Sequence, residues 1–144
     1  MKKLISALQF QNSVEFDENY LLDLGGEGED KAHIWGRLSR EGQEYVLDYE
    51  GDALLSSTCD RCLEACQCSI HVDYCEQLDE ETMEMGLEEI ARQEFILQRP
   101  LQILCSQDCK GLCIHCGANL NKGACNCEAP VDPRLEKLLT LIKD

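Results

Sequence analysis

Cys66-Gln67-Cys68-Ser69-Ile70-His71-Val72-Asp73-Tyr74 alternates its side chains with a period of two. A strand turns successive side chains to opposite faces, so Cys68, Ile70, Val72 and Tyr74 share one face and Gln67, Ser69, His71 and Asp73 the other. This predicts a half-buried strand over Cys66 to Leu78. Toward the N-terminus the pattern recurs. Ala32, Ile34 and Leu38 alternate with polar residues, with Gly36 interrupting the inward row, and Glu41-Gly42 supplies a turn. Tyr45, Leu47 and Tyr49 then share a face, and Gly51-Asp52 before Leu54-Leu55 fits either a long bulged strand or a tight hairpin. Three strands in succession predict an antiparallel sheet or a partly closed barrel.

Composition changes at Asp79. Seven acidic and no basic residues lie between Glu76 and Glu89, so the first half of that stretch reads as a solvated loop. Leu87, Ile90, Ala91 and Phe95 follow at helical spacing, and Arg99-Pro100 ends the element. A second helix is expected near the C-terminus, where Asp132 can cap, Pro133 suits the first turn, and Leu135, Leu138, Leu139 and Ile142 form an apolar stripe. Residues 1 to 30 show weak periodicity, and Gly25 to Asp30 reads as an exposed loop. The expected class is α+β: an acidic antiparallel β domain with a following helix over 1–99, and a cysteine-rich metal-binding segment with a helix over 100–144.

The chain has 144 residues, 44% of them hydrophobic, enough for one modest core. Its formal net charge is −15. Residues 100 to 144 carry five basic and five acidic side chains and balance, so the whole excess belongs to residues 1 to 99. Such a surface repels phosphate backbones and favours basic partners, although acidity also serves solubility.

The chain contains 11 cysteines, an odd number that rules out complete intramolecular pairing. The apolar run Leu4 to Leu8 after Met1-Lys2-Lys3 is too short for a signal peptide, and no stretch approaches the ~18 apolar residues of a membrane span. A cytoplasmic location is therefore expected, where closely spaced thiols more often hold metal than form disulfides.

Cys113-Ile114-His115-Cys116-Gly117 has knuckle spacing: two intervening residues let both sulfurs turn toward one ion, and the glycine can adopt the positive φ of the turn. Cys125-Asn126-Cys127 places two more sulfurs on one face of an extended segment. Four thiolates at ~2.3 Å would close a tetrahedron around structural zinc. Ala118 to Ala124 has little core, so metal could supply the folding energy there. Cys59-Asp60-Arg61-Cys62 is a second close pair, and Cys105 and Cys109 stand i, i+4. These four could make a second site, or one pair could join the first site and leave free thiols. Spacing does not decide between them. Cys66, Cys68 and Cys75 read as strand residues, and His115 as a neighbour of ligands.

No Ser/His/Asp order, P-loop or His-Glu-x-x-His motif occurs, and the acidic pairs read as charged surface. The expectation is a protein without enzymatic activity.

Several motifs in order resemble the YceD family. They are Cys59-Asp60-Arg61-Cys62-Leu63-Glu64, Glu94-Phe95-Ile96-Leu97 before Pro100, Cys109 to Asn121 with its Cys-x-x-Cys-Gly, Cys125-Asn126-Cys127, and Asp132-Pro133-Arg134-Leu135. The resemblance implies a bacterial or plastid-type protein needed for accumulation or processing of large-subunit ribosomal RNA, with no assigned catalysis. Cys66, Cys68 and Cys75 lie outside that pattern. Family and charge together lead to the expectation of a ribosome-biogenesis factor whose acidic part binds a basic ribosomal or assembly protein, with direct RNA contact and oligomeric state left open. The alternative is a thiol-based redox sensor or a zinc-switched chaperone.

Overall fold

The structure is a computed structural model and describes residues 1–26 and 28–127. A short helix α1 (Lys2–Ala7) leads into four strands, β1 (Ser13–Leu22), β2 (Asp30–Glu41), β3 (Glu44–Thr58) and β4 (Ala65–Leu78). Two helices follow, α2 (Glu80–Met85) and α3 (Leu87–Leu97). The strands form one antiparallel sheet in the order β1-β2-β3-β4. The partly closed barrel is not realised: β1 and β4 are the two edges of an open sheet.

The period-two rows do what alternation requires. Ile34, Leu38, Leu47, Tyr49, Leu55, Ile70 and Val72 are all buried on the inner face, while the register puts Trp35, Glu50 and Asp73 together on the outer one. β3 is a single continuous strand rather than a hairpin, and Gly51 sits within it opposite Ile34 and Val72. A Cβ there would lie 3.0 Å from the ring of Phe95, so the missing side chain makes room for α3. Leu87, Ile90, Ala91 and Phe95 form the buried stripe of that helix. At ~25 cal/mol per Å² of apolar area, an aromatic ring buried to this extent is among the largest single contributions to such a core.

Three elements depart from the sequence expectation, the first being helix α1 in residues 1 to 30, where no helix is expected. β1 lies in residues 1 to 30, where Val14, Phe16, Tyr20 and Leu22 do recur with period two, but Glu18 occupies the inner row opposite Ile34 and masks the pattern. The acidic stretch after Leu78 is helix α2, not loop. Asp79 caps it by accepting from the Thr82 amide at 2.8 Å, and Glu80 and Glu81 sit where the first helical turn favours negative charge. The expected helix over Asp132 to Ile142 lies outside the described residues.

The chain around Pro100 stays at the sheet end that carries the β1–β2 and β3–β4 connections, Arg99 donating to the Gly25 carbonyl at 2.9 Å. Ile103 joins the main core, its amide donating to the Asp60 carboxylate at 2.6 Å while its carbonyl accepts from the Asp60 amide at 2.8 Å. Those two bonds fasten the cysteine-rich segment to the β3–β4 connection.

Candidate metal centres

The β3–β4 connection and the segment after Pro100 each contain a turn built on Cys-x-x-Cys. In the first, Leu63 donates its amide to the Cys59 carbonyl at 2.9 Å, and Cys59 donates to the Glu64 carbonyl at 2.9 Å. In the second, Gly117 donates to the Cys113 carbonyl at 2.9 Å, and Cys113 donates to the Ala118 carbonyl at 2.8 Å. The residue after the second cysteine is left-handed in both, Leu63 at φ 58° and Gly117 at φ 73°. One knuckle fold thus occurs twice. Glycine announces it in the second case, whereas leucine, which seldom adopts that backbone, conceals it in the first.

The first knuckle meets Cys105 and Cys109. All four sulfurs lie within 4.8 Å of one another, with Cys59 and Cys109 3.8 Å apart and Cys62 and Cys105 3.6 Å apart. Bonds of ~2.3 Å to a tetrahedral centre set sulfur–sulfur edges of ~3.8 Å, so the spacing fits a four-thiolate metal ion. Cys59, Cys62 and Cys109 are buried and Cys105 is exposed. Of the two groupings that spacing left open, the structure brings together Cys59, Cys62, Cys105 and Cys109. The second group is Cys113, Cys116, Cys125 and Cys127, again within 4.8 Å of one another. Here Cys113 is buried, Cys125 half-buried, and Cys116 and Cys127 exposed. Each group can hold a metal ion.

The electrostatics of the two groups run in parallel. The backbone amide of Cys105, then those of Cys62 and Arg61, bring the Cys59 thiol down to about 6. The amides of Cys116 and His115 bring Cys113 down to about 6. Crowding by neighbouring thiols, first Cys109 for Cys105 and first Cys116 for Cys127, pushes those two up to about 12. Four adjacent sulfurs cannot all ionise unless a cation offsets their repulsion.

Side chains around the sulfurs lock the geometry. Asn121 donates its side-chain amide to the Cys109 sulfur at 3.3 Å and accepts from the Lys110 amide at 2.8 Å. That donation lowers the Cys109 thiol. Gly111, at φ 73°, brings its backbone against the first knuckle, where a Cβ would lie 3.0 Å from the Arg61 carbonyl oxygen. Leu112 donates to that same carbonyl at 3.1 Å, and Arg61 donates to the Cys109 carbonyl at 3.2 Å. Glu64 ties the knuckle to the second segment through Lys122 at 2.6 Å and Asn119 at 3.2 Å. These partners escape a sequence reading because they lie up to 58 residues apart.

Cys66 is half-buried against the first group, Cys68 is half-buried in β4, and Cys75 is exposed. His115 is exposed, and neither four-sulfur group includes it.

A family model described as large ribosomal RNA subunit accumulation protein YceD matches residues 47–142, from within β3 through both knuckles. The chain belongs to the YceD family. Residues of this YceD chain are also 38% identical over 47 positions to "Large ribosomal RNA subunit accumulation protein YCED homolog 1, chloroplastic" of Arabidopsis thaliana. That alignment covers 33% of this chain and 15% of the plant protein's length. No solved structure matches this YceD chain significantly. Among the described residues, no helix is long and apolar enough to cross a membrane.

Proposed function

We propose that this YceD-family chain is a non-enzymatic ribosome-biogenesis factor that supports accumulation or processing of large-subunit ribosomal RNA by binding a basic ribosomal or assembly protein. The observation that carries this reading is the segregation of charge, with the whole −15 in residues 1–99 and none in the rest. An acidic domain gains no counterion release from RNA but attracts lysine- and arginine-rich proteins. The balanced cysteine-rich segment is the part able to approach RNA.

Both four-sulfur groups hold zinc in this reading, since all-thiolate tetrahedral sites suit it. Four protein ligands leave no open coordination position, so the ions staple the segment and do not activate water. Cys59, Cys62, Cys105 and Cys109 form one site, and Cys113, Cys116, Cys125 and Cys127 the other.

The test is co-purification with tagged chain from cells in which the large subunit is assembling. Recovery of basic large-subunit or assembly proteins supports the proposal. Recovery of RNA without such proteins, persisting at moderate salt, refutes it.

A second reading, a thiol-based redox sensor or zinc-switched chaperone, draws on the exposure of Cys105, Cys116 and Cys127. Thiol titration separates the two. A switch predicts that mild oxidant ejects zinc and changes activity as a holdase, whereas a structural role predicts zinc retention under the same treatment.

A further inference from the structure

Helices α2 and α3 belong to one face of the sheet, where Leu87, Ile90, Phe95 and the partly buried Met83 join the core. Among the described residues no element covers the opposite face. Its rungs follow from the register. Asp17, Trp35, Glu50 and Asp73 lie in line across all four strands, as do Leu21, Lys31, Leu54 and Ser69 four residues along.

Three residues of the first rung, Asp17, Trp35 and Glu50, line an open groove of about 540 Å³ together with Glu15, Arg37 and Asp48. Trp35 is the chain's single tryptophan. The His33 ring, 4.8 Å from the indole by centroid, braces it, and His33 is itself bonded to Asp17 at 2.8 Å. Arg37 is engaged by Asp48 at 3.0 Å. Glu15 has no ion-pair partner among the described residues, and the Glu50 carboxylate lies within 4.8 Å of a His71 ring nitrogen and an Asp73 carboxylate oxygen. An indole flanked by carboxylates is the environment that attracts a guanidinium, through its ring face and its charge together. The second rung is different in character: Leu21 and Leu54 are 57% and 43% exposed and line an adjoining groove with Tyr20. At ~3.3 Å per residue the two rungs are ~13 Å apart.

We propose that this uncovered face is the docking surface for an arginine- and lysine-rich segment of a partner protein. One guanidinium sits over Trp35 between Asp17 and Glu50, and one apolar side chain sits ~13 Å away against Leu21 and Leu54. The charge of the face selects the occupant: across the four rungs from Glu15 to Leu21, six carboxylates (Glu15, Asp17, Asp48, Glu50, Asp52 and Asp73) face Lys31, Arg37 and the imidazoles of His33 and His71, an acidic excess even with both rings protonated. The inference rests on the basic-partner reading above and names the surface that serves it.

The test uses the full zinc-loaded chain and a short synthetic peptide of arginine, lysine, serine and leucine without aromatic residues, an arginine and a leucine being four positions apart. Titration should change Trp35 fluorescence. Asp17→Asn with Glu50→Gln should weaken binding about tenfold, while Glu81→Gln with Glu84→Gln on α2 removes equal charge and should change it less than about twofold. Circular dichroism checks that each variant is folded. Equal weakening by both pairs, binding without a fluorescence change, or preference for single-stranded RNA over the peptide would each overturn the proposal. Co-purification with the Asp17/Glu50 variant separates the two levels. If basic ribosomal proteins are still recovered in full, this docking face is wrong and the broader function stands; if wild-type chain recovers none, the broader function fails.

Discussion

Leu63 holds after Cys62 the same left-handed backbone that Gly117 holds after Cys116, φ 58° against 73°. An L-residue there is strained by ~1–2 kcal/mol, and the Leu63 side chain is 65% exposed, so it recovers little by packing. Leu63→Gly should raise stability by about 0.5–1 kcal/mol after allowing for the extra freedom of glycine in the unfolded chain. Gly117→Leu should lower it by about 0.5–1 kcal/mol on the same account. Denaturant unfolding of zinc-loaded protein checks both, and shifts of the same sign for the two variants would contradict the shared knuckle.

Asn121 is the side chain that steadies Cys109. Asn121→Ala removes the donor to that sulfur and the acceptor for the Lys110 amide, and should weaken zinc at the first site by about 10–100-fold. Competition against a chromophoric chelator reads this directly. The second site should keep its affinity.

These knuckles show which parts of the molecule were legible in sequence. The Ile70/Val72 and Leu47/Tyr49 alternations give the central strands, because a face that is buried must repeat every two residues. Cys113 and Cys116 are recognisable by spacing and by Gly117. The union of Cys59 and Cys62 with Cys105 and Cys109 was not decidable, since it depends on Ile103 bonding to Asp60 across the chain. Glu18 hid β1, and charge hid α2 because a cap such as Asp79 to Thr82 outweighs like-charge repulsion over a single turn. Sheet closure was equally out of reach: alternation specifies a buried face but not whether edges meet.

Gly51 and Phe95 define the contact that seats α3. A methyl at Gly51 would lie 3.0 Å from the Phe95 ring and 3.2 Å from Val72. Gly51→Val should destabilise by about 1–3 kcal/mol through overpacking, and Phe95→Ala by about 3–5 kcal/mol through the void it leaves. Hydrogen exchange should show α3 opening in both variants while the β2–β3 pairing stays protected.

His71 bonds to Asp52 at 2.8 Å, and that carboxylate, helped by Asp73, raises the imidazole above its ordinary 6.5. Because the folded state favours the protonated ring, the stabilisation is fully present below pH 6.5 and is lost as pH rises through the higher folded value. An NMR titration should place the His71 midpoint above 6.5, and Asp52→Asn should bring it down. A wild-type midpoint at or below 6.5 would refute the pairing.

The central claim is that two closed four-thiolate centres staple this YceD chain, and native mass spectrometry tests it most directly. The wild-type protein should carry two zinc ions, Cys59→Ser with Cys62→Ser should lose one, and Cys125→Ser with Cys127→Ser should lose the other. A wild-type chain that binds no zinc when all thiols are reduced, or variants that keep both ions, would contradict the account.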